Sequence, residues 1–170
     1  MLRLARRRAH EWPGVELSLL DRFDLVDART REGFRELGWT LQVQSADVFD
    51  WLRAPIGEGW DLVCANLFLH HFKEQQLRAL FAGLAARSPL FVASEPRRAS
   101  LALAGSHCLG LLGAGAVTRQ DAVASVRAGF RDFELSGLWP RDAGWQLRER
   151  HVGFFSQGFV AQRAGAARDA

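Results

Sequence analysis

The chain has 170 residues, enough for one domain that buries its own core. Hydrophobic residues make up 48% and charged residues 24%, an ordinary globular composition, and no apolar run is long enough to cross a bilayer. The formal charge of +3 is carried almost wholly by arginine, with Lys73 the sole lysine, and the arginines are too scattered to form the basic stripe of a nucleic-acid reader.

Met1 to His10 is rich in arginine but has no apolar stretch after it, so it does not read as a secretory signal. Arg3, Arg6, Arg7 and Arg8 read as the solvated face of a helix. Cys64 and Cys108 offer neither a disulfide framework nor metal-ligand spacing, so no metal is expected and a reduced, cytoplasmic protein is. Leu2, Ala5, Ala9 and Trp12 recur at helical spacing, and Pro13-Gly14 ends that helix. Val15 to Leu20 reads as a strand. Asp24 is placed to cap a second helix, with Asp27 in its first turn and Val26, Thr30, Phe34 and Leu37 along one face; Gly38 ends it. Trp39, Leu41 and Val43 alternate with polar residues, as in a half-buried strand.

Asp61 to Ala65 is a short apolar run after the Gly57-Glu58-Gly59 turn, the pattern of a strand covered on both faces. Leu77, Leu80, Phe81 and Leu84 mark a helix closed by Ser88-Pro89, and Leu90 to Ala93 is a further strand. Ser100 to Leu112 is helical in pattern, and Thr118 with Asp121 opens another helix running to about Ala128. Phe133 to Trp139 and Val152 to Ala161 are both strand-like, which predicts an antiparallel pair at one edge. No repeat or linker divides the chain. Residues 1–163 are expected to form one domain and 164–170 a disordered tail. The alternation of strand and helix predicts a doubly wound, mostly parallel α/β sheet, with ligands at the carboxyl ends of its strands.

Candidate functional residues therefore follow the strands. Asp21-Arg22 ends the first strand; an acid there accepts hydrogen bonds from both hydroxyls of a ribose, or caps a helix on the surface. Asp47-Val48 follows the second, where the acid can bond an adenine amino group while Val48 covers the ring, or cap a short helix over Val48 to Leu52. The third strand leads through Asn66 to His70-His71. A histidine serves as a general base on a substrate hydroxyl, or else shapes the turn. Adjacent residues of a helical turn point about 100° apart, so at most one of the two histidines faces a pocket. Glu95 with Arg97 and Arg98 ends the fourth strand, as substrate contacts or as a surface ion pair.

Taken in order, these segments resemble the small-molecule branch of the class I S-adenosylmethionine-dependent methyltransferases. The resemblance implies that Asp21 and Arg22 lie at the cofactor ribose, Asp47 and Val48 at the adenine, and Asn66 beside the cofactor. It places His70 and His71 on the catalytic side, and the closing strand pair after Gly129-Phe130 matches the family's reversed last strands. The implied function is methyl transfer from S-adenosylmethionine to a small molecule, with an oxygen nucleophile as acceptor and no nucleic-acid or membrane partner. The alternative is a non-catalytic or fragmentary protein of this fold that binds no cofactor. A nicotinamide oxidoreductase would also want an acid at Asp21, but the closing strand pair speaks against it.

The family's first strand and glycine-rich loop have no counterpart here, because Met1 falls within the helix that follows them. Gly110 to Gly115 has no strand running into it and reads as a helix end and loop. The chain is thus expected to be truncated at its N-terminus. A widened or vacant position beside the Val15 strand is then expected, or direct pairing of that strand with Asp61 to Ala65.

Overall fold

The computed structural model describes residues 2–8, 10–57, 59–98, 128–142 and 144–165. The helices expected over 100–112 and 118–128, the Gly110 to Gly115 stretch and most of the 164–170 tail lie outside them. The chain divides into two compact units, Met1–Pro55 and Ile56–Ala170.

In the first unit, α1 (Leu2–Arg8) precedes β1 (Glu16–Asp21), α2 (Ala28–Arg35), β2 (Thr40–Ser45) and α3 (Val48–Arg53). β1 and β2 run parallel, with Glu16 opposite Thr40 and Asp21 opposite Ser45. A parallel pair cannot close through a tight hairpin, so α2 serves as its crossover. The cap of α2 is Asp27, whose Oδ1 accepts from Thr30 N at 2.6 Å. Asp24, the expected cap, sits a few residues upstream, where it accepts from Val26 N and pairs with Arg31 at 2.5 Å. Gly38 takes φ +71° just past the helix, a conformation that costs glycine little. Ala5, Phe34 and Trp39 form the core of this unit, and the Phe34 and Trp39 rings stack with centroids 5.9 Å apart.

The second unit contains β3 (Val63–Asn66), a 3₁₀ turn (Leu69–His71), α4 (Glu74–Ala85), β4 (Leu90–Pro96), α5 (Glu134–Leu138), β5 (Trp145–Val152) and β6 (Ser156–Arg163). Its sheet has the order β3-β4-β6-β5, parallel between β3 and β4 and antiparallel for the rest. The expected C-terminal antiparallel pair is therefore present, but not where the sequence pattern put it. Phe133 to Trp139 is mainly the helix α5, and the pair is β5 with β6. The reason is chemical. The Glu149 carboxylate on β5 accepts from Ser136 N at 2.9 Å, from Leu135 N at 3.3 Å and from Ser136 Oγ at 2.7 Å. Those first-turn amides have no partner inside a helix, so an acid facing them stabilises helix over strand. Leu135 and Trp139, four residues apart, then turn the same way into the core.

That core is aromatic. Phe81 of α4, Phe91 of β4, Trp139 after α5 and Phe159 of β6 lie with ring centroids 5.1 to 6.1 Å apart, and all are essentially buried. Trp145 meets Trp139 edge to face at 5.0 Å and carries Arg163 over its other side at 4.7 Å. The backbone of Gly129 approaches Pro96 O so closely that a side chain there would collide with it; Phe130 N bonds the same oxygen at 2.9 Å. β1 pairs with β2, and β3 with β4. Among the described residues β1 and β3 each have a single strand neighbour.

Two outcomes follow for stability. Phe81→Ala removes a fully buried ring from a close-packed cluster and should cost ~3–5 kcal/mol in denaturant unfolding. The Thr30 side-chain and backbone donors hold the Asp27 carboxyl below its ordinary value. The folded state therefore favours the charged form, and the cap's contribution is full at neutral pH and lost as pH falls through the carboxylate range. The difference in Tm between the wild type and Asp27→Ala should shrink as pH drops from about 6 towards about 3.

Candidate functional site

Each unit gathers its own set of candidate residues at the carboxyl ends of its parallel strands. In the first, Asp21 is the last residue of β1, and its Oδ1 accepts from Phe23 N at 3.0 Å, turning the chain away from the strand. Ala46 N bonds Asp21 O at 2.9 Å, which fixes the start of the β2–α3 loop against the end of β1. Asp47 then caps α3, accepting from Phe49 N at 2.8 Å. Arg22 reaches its other carboxylate oxygen at 3.8 Å. Asp21, Arg22, Asp47 and Val48 are thus brought to one corner. The helix-capping reading of Asp47 is realised, and among the described residues Oδ2 faces the exposed Arg22. Asp21 keeps Oδ2 without a hydrogen bond among the described residues. Phe23 and Leu25 stand beside this corner largely in solvent.

In the second unit the loop after β3 is the site's most constrained segment. Asn66 ends the strand with an exposed side chain. Leu67 follows at φ +51°, a left-handed conformation that costs a branched side chain ~1–2 kcal/mol. Its amide is held by Ser94 O at 2.9 Å. The chain then enters the 3₁₀ turn, where three successive amides and one imidazole converge on a single carboxylate. Glu95 Oε1 accepts from Phe68 N and Leu69 N, both at 2.9 Å; Oε2 lies 2.8 Å from His70 Nδ1 and accepts from His70 N at 3.4 Å. The Glu95 side chain is 0% exposed and that of His70 5%. His71 is exposed, its ring 4.1 Å from that of His70. Phe68 and Phe72 meet edge to face at 4.9 Å across the turn.

Glu95 is therefore not a surface acid paired with the arginines after it. β4 continues past Ala93 to Pro96, so Glu95 falls on the inward face with Phe91 and Ala93. Arg98 pairs with Glu134 instead, and Arg131 Nε bonds Arg98 O. Sequence reasoning missed this role because an acid after an apolar run reads as the end of a strand. The usable signal was the alternation Phe91, Ala93, Glu95.

Chemically, the first corner offers carboxylate oxygens to hydroxyl or amino donors, with apolar side chains alongside. The second offers an exposed amide, a clamped imidazole and an exposed one. Among the described residues no cluster of His, Cys, Asp and Glu could hold a metal ion, and no helix is long and apolar enough to cross a membrane.

No protein-family model matches the sequence, and no curated protein does. Solved structures do match. A candidate O-methyltransferase from Nostoc punctiforme PCC 73102 is 14% identical with a TM-score of 0.60, over 95% of this chain and 47% of that one. An O-methyltransferase family protein from Burkholderia thailandensis is 18% identical with a TM-score of 0.57, over 96% and 47%. The S-adenosylmethionine-dependent methyltransferase SibL is 17% identical with a TM-score of 0.57, over 96% and 46%. The chain thus spans about half the length of the structures it matches, and within that span its fold is that of the class I S-adenosylmethionine-dependent methyltransferases.

Proposed function

We propose that the chain takes part in methyl transfer from S-adenosylmethionine to a small-molecule acceptor, with oxygen as the acceptor atom. The observation that carries the reading is the corner at the ends of β1 and β2, where Asp21 and Asp47 are brought together on a fold shared with methyltransferases.

The cofactor fits the donor set on offer. A ribose diol needs a carboxylate oxygen free of strong partners, and Asp21 Oδ2 is one among the described residues. An adenine needs a hydrogen-bond acceptor with an apolar neighbour, and Asp47 with half-buried Val48 supplies both. Arg22 lies 3.8 Å from the Asp47 carboxylate, an exposed pair that contributes little energy. Asn66, at the end of β3 in the second unit, is proposed separately as a cofactor-side residue. When bound, S-adenosylmethionine supplies a methyl group already activated by its sulfonium. The protein's task is then mainly positioning, which converts an encounter into an aligned approach. His70 and His71 are the proposed acceptor-side residues, taking or orienting a hydroxyl proton.

Calorimetric titration with S-adenosylhomocysteine tests the proposal. Asp21→Ala should weaken binding by ~1.5–3 kcal/mol, the range for a hydrogen bond to a charged group. Equal affinity of the two proteins would remove Asp21 from the site. No heat of binding from either would favour a protein of this fold that does not bind the cofactor.

A further inference from the structure

We propose that Arg97 is a specificity residue on the acceptor side: its guanidinium takes a carboxylate of the methyl acceptor, whose ring rests against the exposed phenylalanines of the β5–β6 turn. The inference rests on the methyl-transfer reading and deepens it, because it gives the acceptor a class, a hydroxylated aromatic acid.

Arg97 directly follows β4, and the main chain there is tied on both sides. Its amide donates to Phe155 O at 2.8 Å, and the next amide, of Arg98, to Phe130 O at 3.0 Å. Strand alternation from Phe91, Ala93 and Glu95 puts Arg97 on the face of those residues, half-buried. A guanidinium stays charged at every working pH, so withdrawing it from water is costly unless an anion faces it. The nearby acids are engaged elsewhere: Glu95 with the turn after β3, and Glu134 with Arg98. Among the described residues the Arg97 side chain has neither an ion pair nor a hydrogen bond. Its planar fork of donors matches the two oxygens of a carboxylate.

The surroundings suit an acceptor. β3 and β4 end together, with Asn66 opposite Ser94, and the pairing of Pro96 with Ser156 brings the β5–β6 turn to that same end of the sheet. The turn carries Phe154 and Phe155, 70% and 54% exposed, their rings edge to face at 6.3 Å. Phe133, also 70% exposed, lies in a segment held to β6 by Gln157 Nε2, which donates to Asp132 O at 2.7 Å. Aromatic rings left in water beside an uncommitted cation fit a ligand with an apolar ring and a negative group.

Titration of the full chain with para-hydroxybenzoate and with para-hydroxybenzyl alcohol tests this, since the two share ring and hydroxyl and differ in the carboxylate. The wild type should bind the acid about 10–100-fold more tightly than the alcohol, as for hydrogen bonds to a charged group. Arg97→Gln should abolish that preference and leave the alcohol's affinity unchanged. Arg97→Lys keeps the charge without the fork and should restore part of the preference. Arg98→Gln removes the same charge from a residue already paired with Glu134 and should leave the preference intact, which separates a site from the general attraction of a basic protein. Phe155→Ala should weaken both probes alike, because the main-chain oxygen that holds Arg97 is retained. Equal affinity for acid and alcohol in the wild type, a preference that survives Arg97→Gln, or no binding of either probe would overturn the proposal. The titrations need no cofactor, so their failure is separable from failure of S-adenosylhomocysteine to bind.

Discussion

A single buried carboxylate holds the loop after β3 in place. Glu95 sits at the end of β4 with its side chain out of water, a position that is costly for a charge unless it is fully satisfied. The satisfaction comes from the turn after β3, whose amides at Phe68 and Leu69 and whose His70 ring have no other use for their hydrogens. Each side of this contact solves the other's problem. The turn's amides lack partners within so short a helix, and the acid lacks solvent. Because β3 and β4 are parallel neighbours with Asn66 opposite Ser94, the two strands deliver acid and turn to the same end of the sheet. Asn66, His70 and His71 owe their positions to that register.

The same device recurs two strands away, on the same face of the sheet. Glu149 of β5 holds the start of α5 through Leu135 N, Ser136 N and Ser136 Oγ, and it also accepts from Gln157 Nε2 at 3.2 Å. Gln157 in turn bonds Asp132 O at 2.7 Å. Both acids lie at the margin of the aromatic cluster of Phe81, Phe91, Trp139 and Phe159, which supplies the packing against which such contacts are rigid. Polar contacts of this kind specify geometry, while the buried rings supply most of the stabilisation.

These two glutamates also explain where the sequence was legible and where it was not. β1, β2, β3 and α4 follow from periodicity within a residue or two, because their inward positions are apolar: Leu17 and Leu19, Leu41 and Val43, Val63 and Ala65, Leu77 and Leu80. β4 reads as ending at Ala93 because its next inward residue is Glu95. β5 goes unread for the same reason, since its inward positions run Trp145, Leu147 and then Glu149. With β5 unread, the apolar residues of α5 looked like the missing strand. Acids that face inward are satisfied by distant amides, and no local pattern records that pairing. The candidate corners were legible in part. The spacing of Asp21 and Asp47 after their strands located the first corner, and Asn66-Leu67-Phe68-Leu69-His70-His71 located the second. The difference between the two histidines depends on Glu95, which lies 25 residues further along the chain.

The central claim is that the corner at the ends of β1 and β2 is a nucleoside-binding site. A backbone-resolved NMR titration with S-adenosylhomocysteine tests it directly. The account predicts saturable shifts at the amides of Asp21 to Phe23 and of Asp47 to Phe49, the turn and the cap whose carboxylates would exchange neighbours for ligand hydroxyl and amino groups. A titration in which those amides stay still at saturating ligand would contradict it.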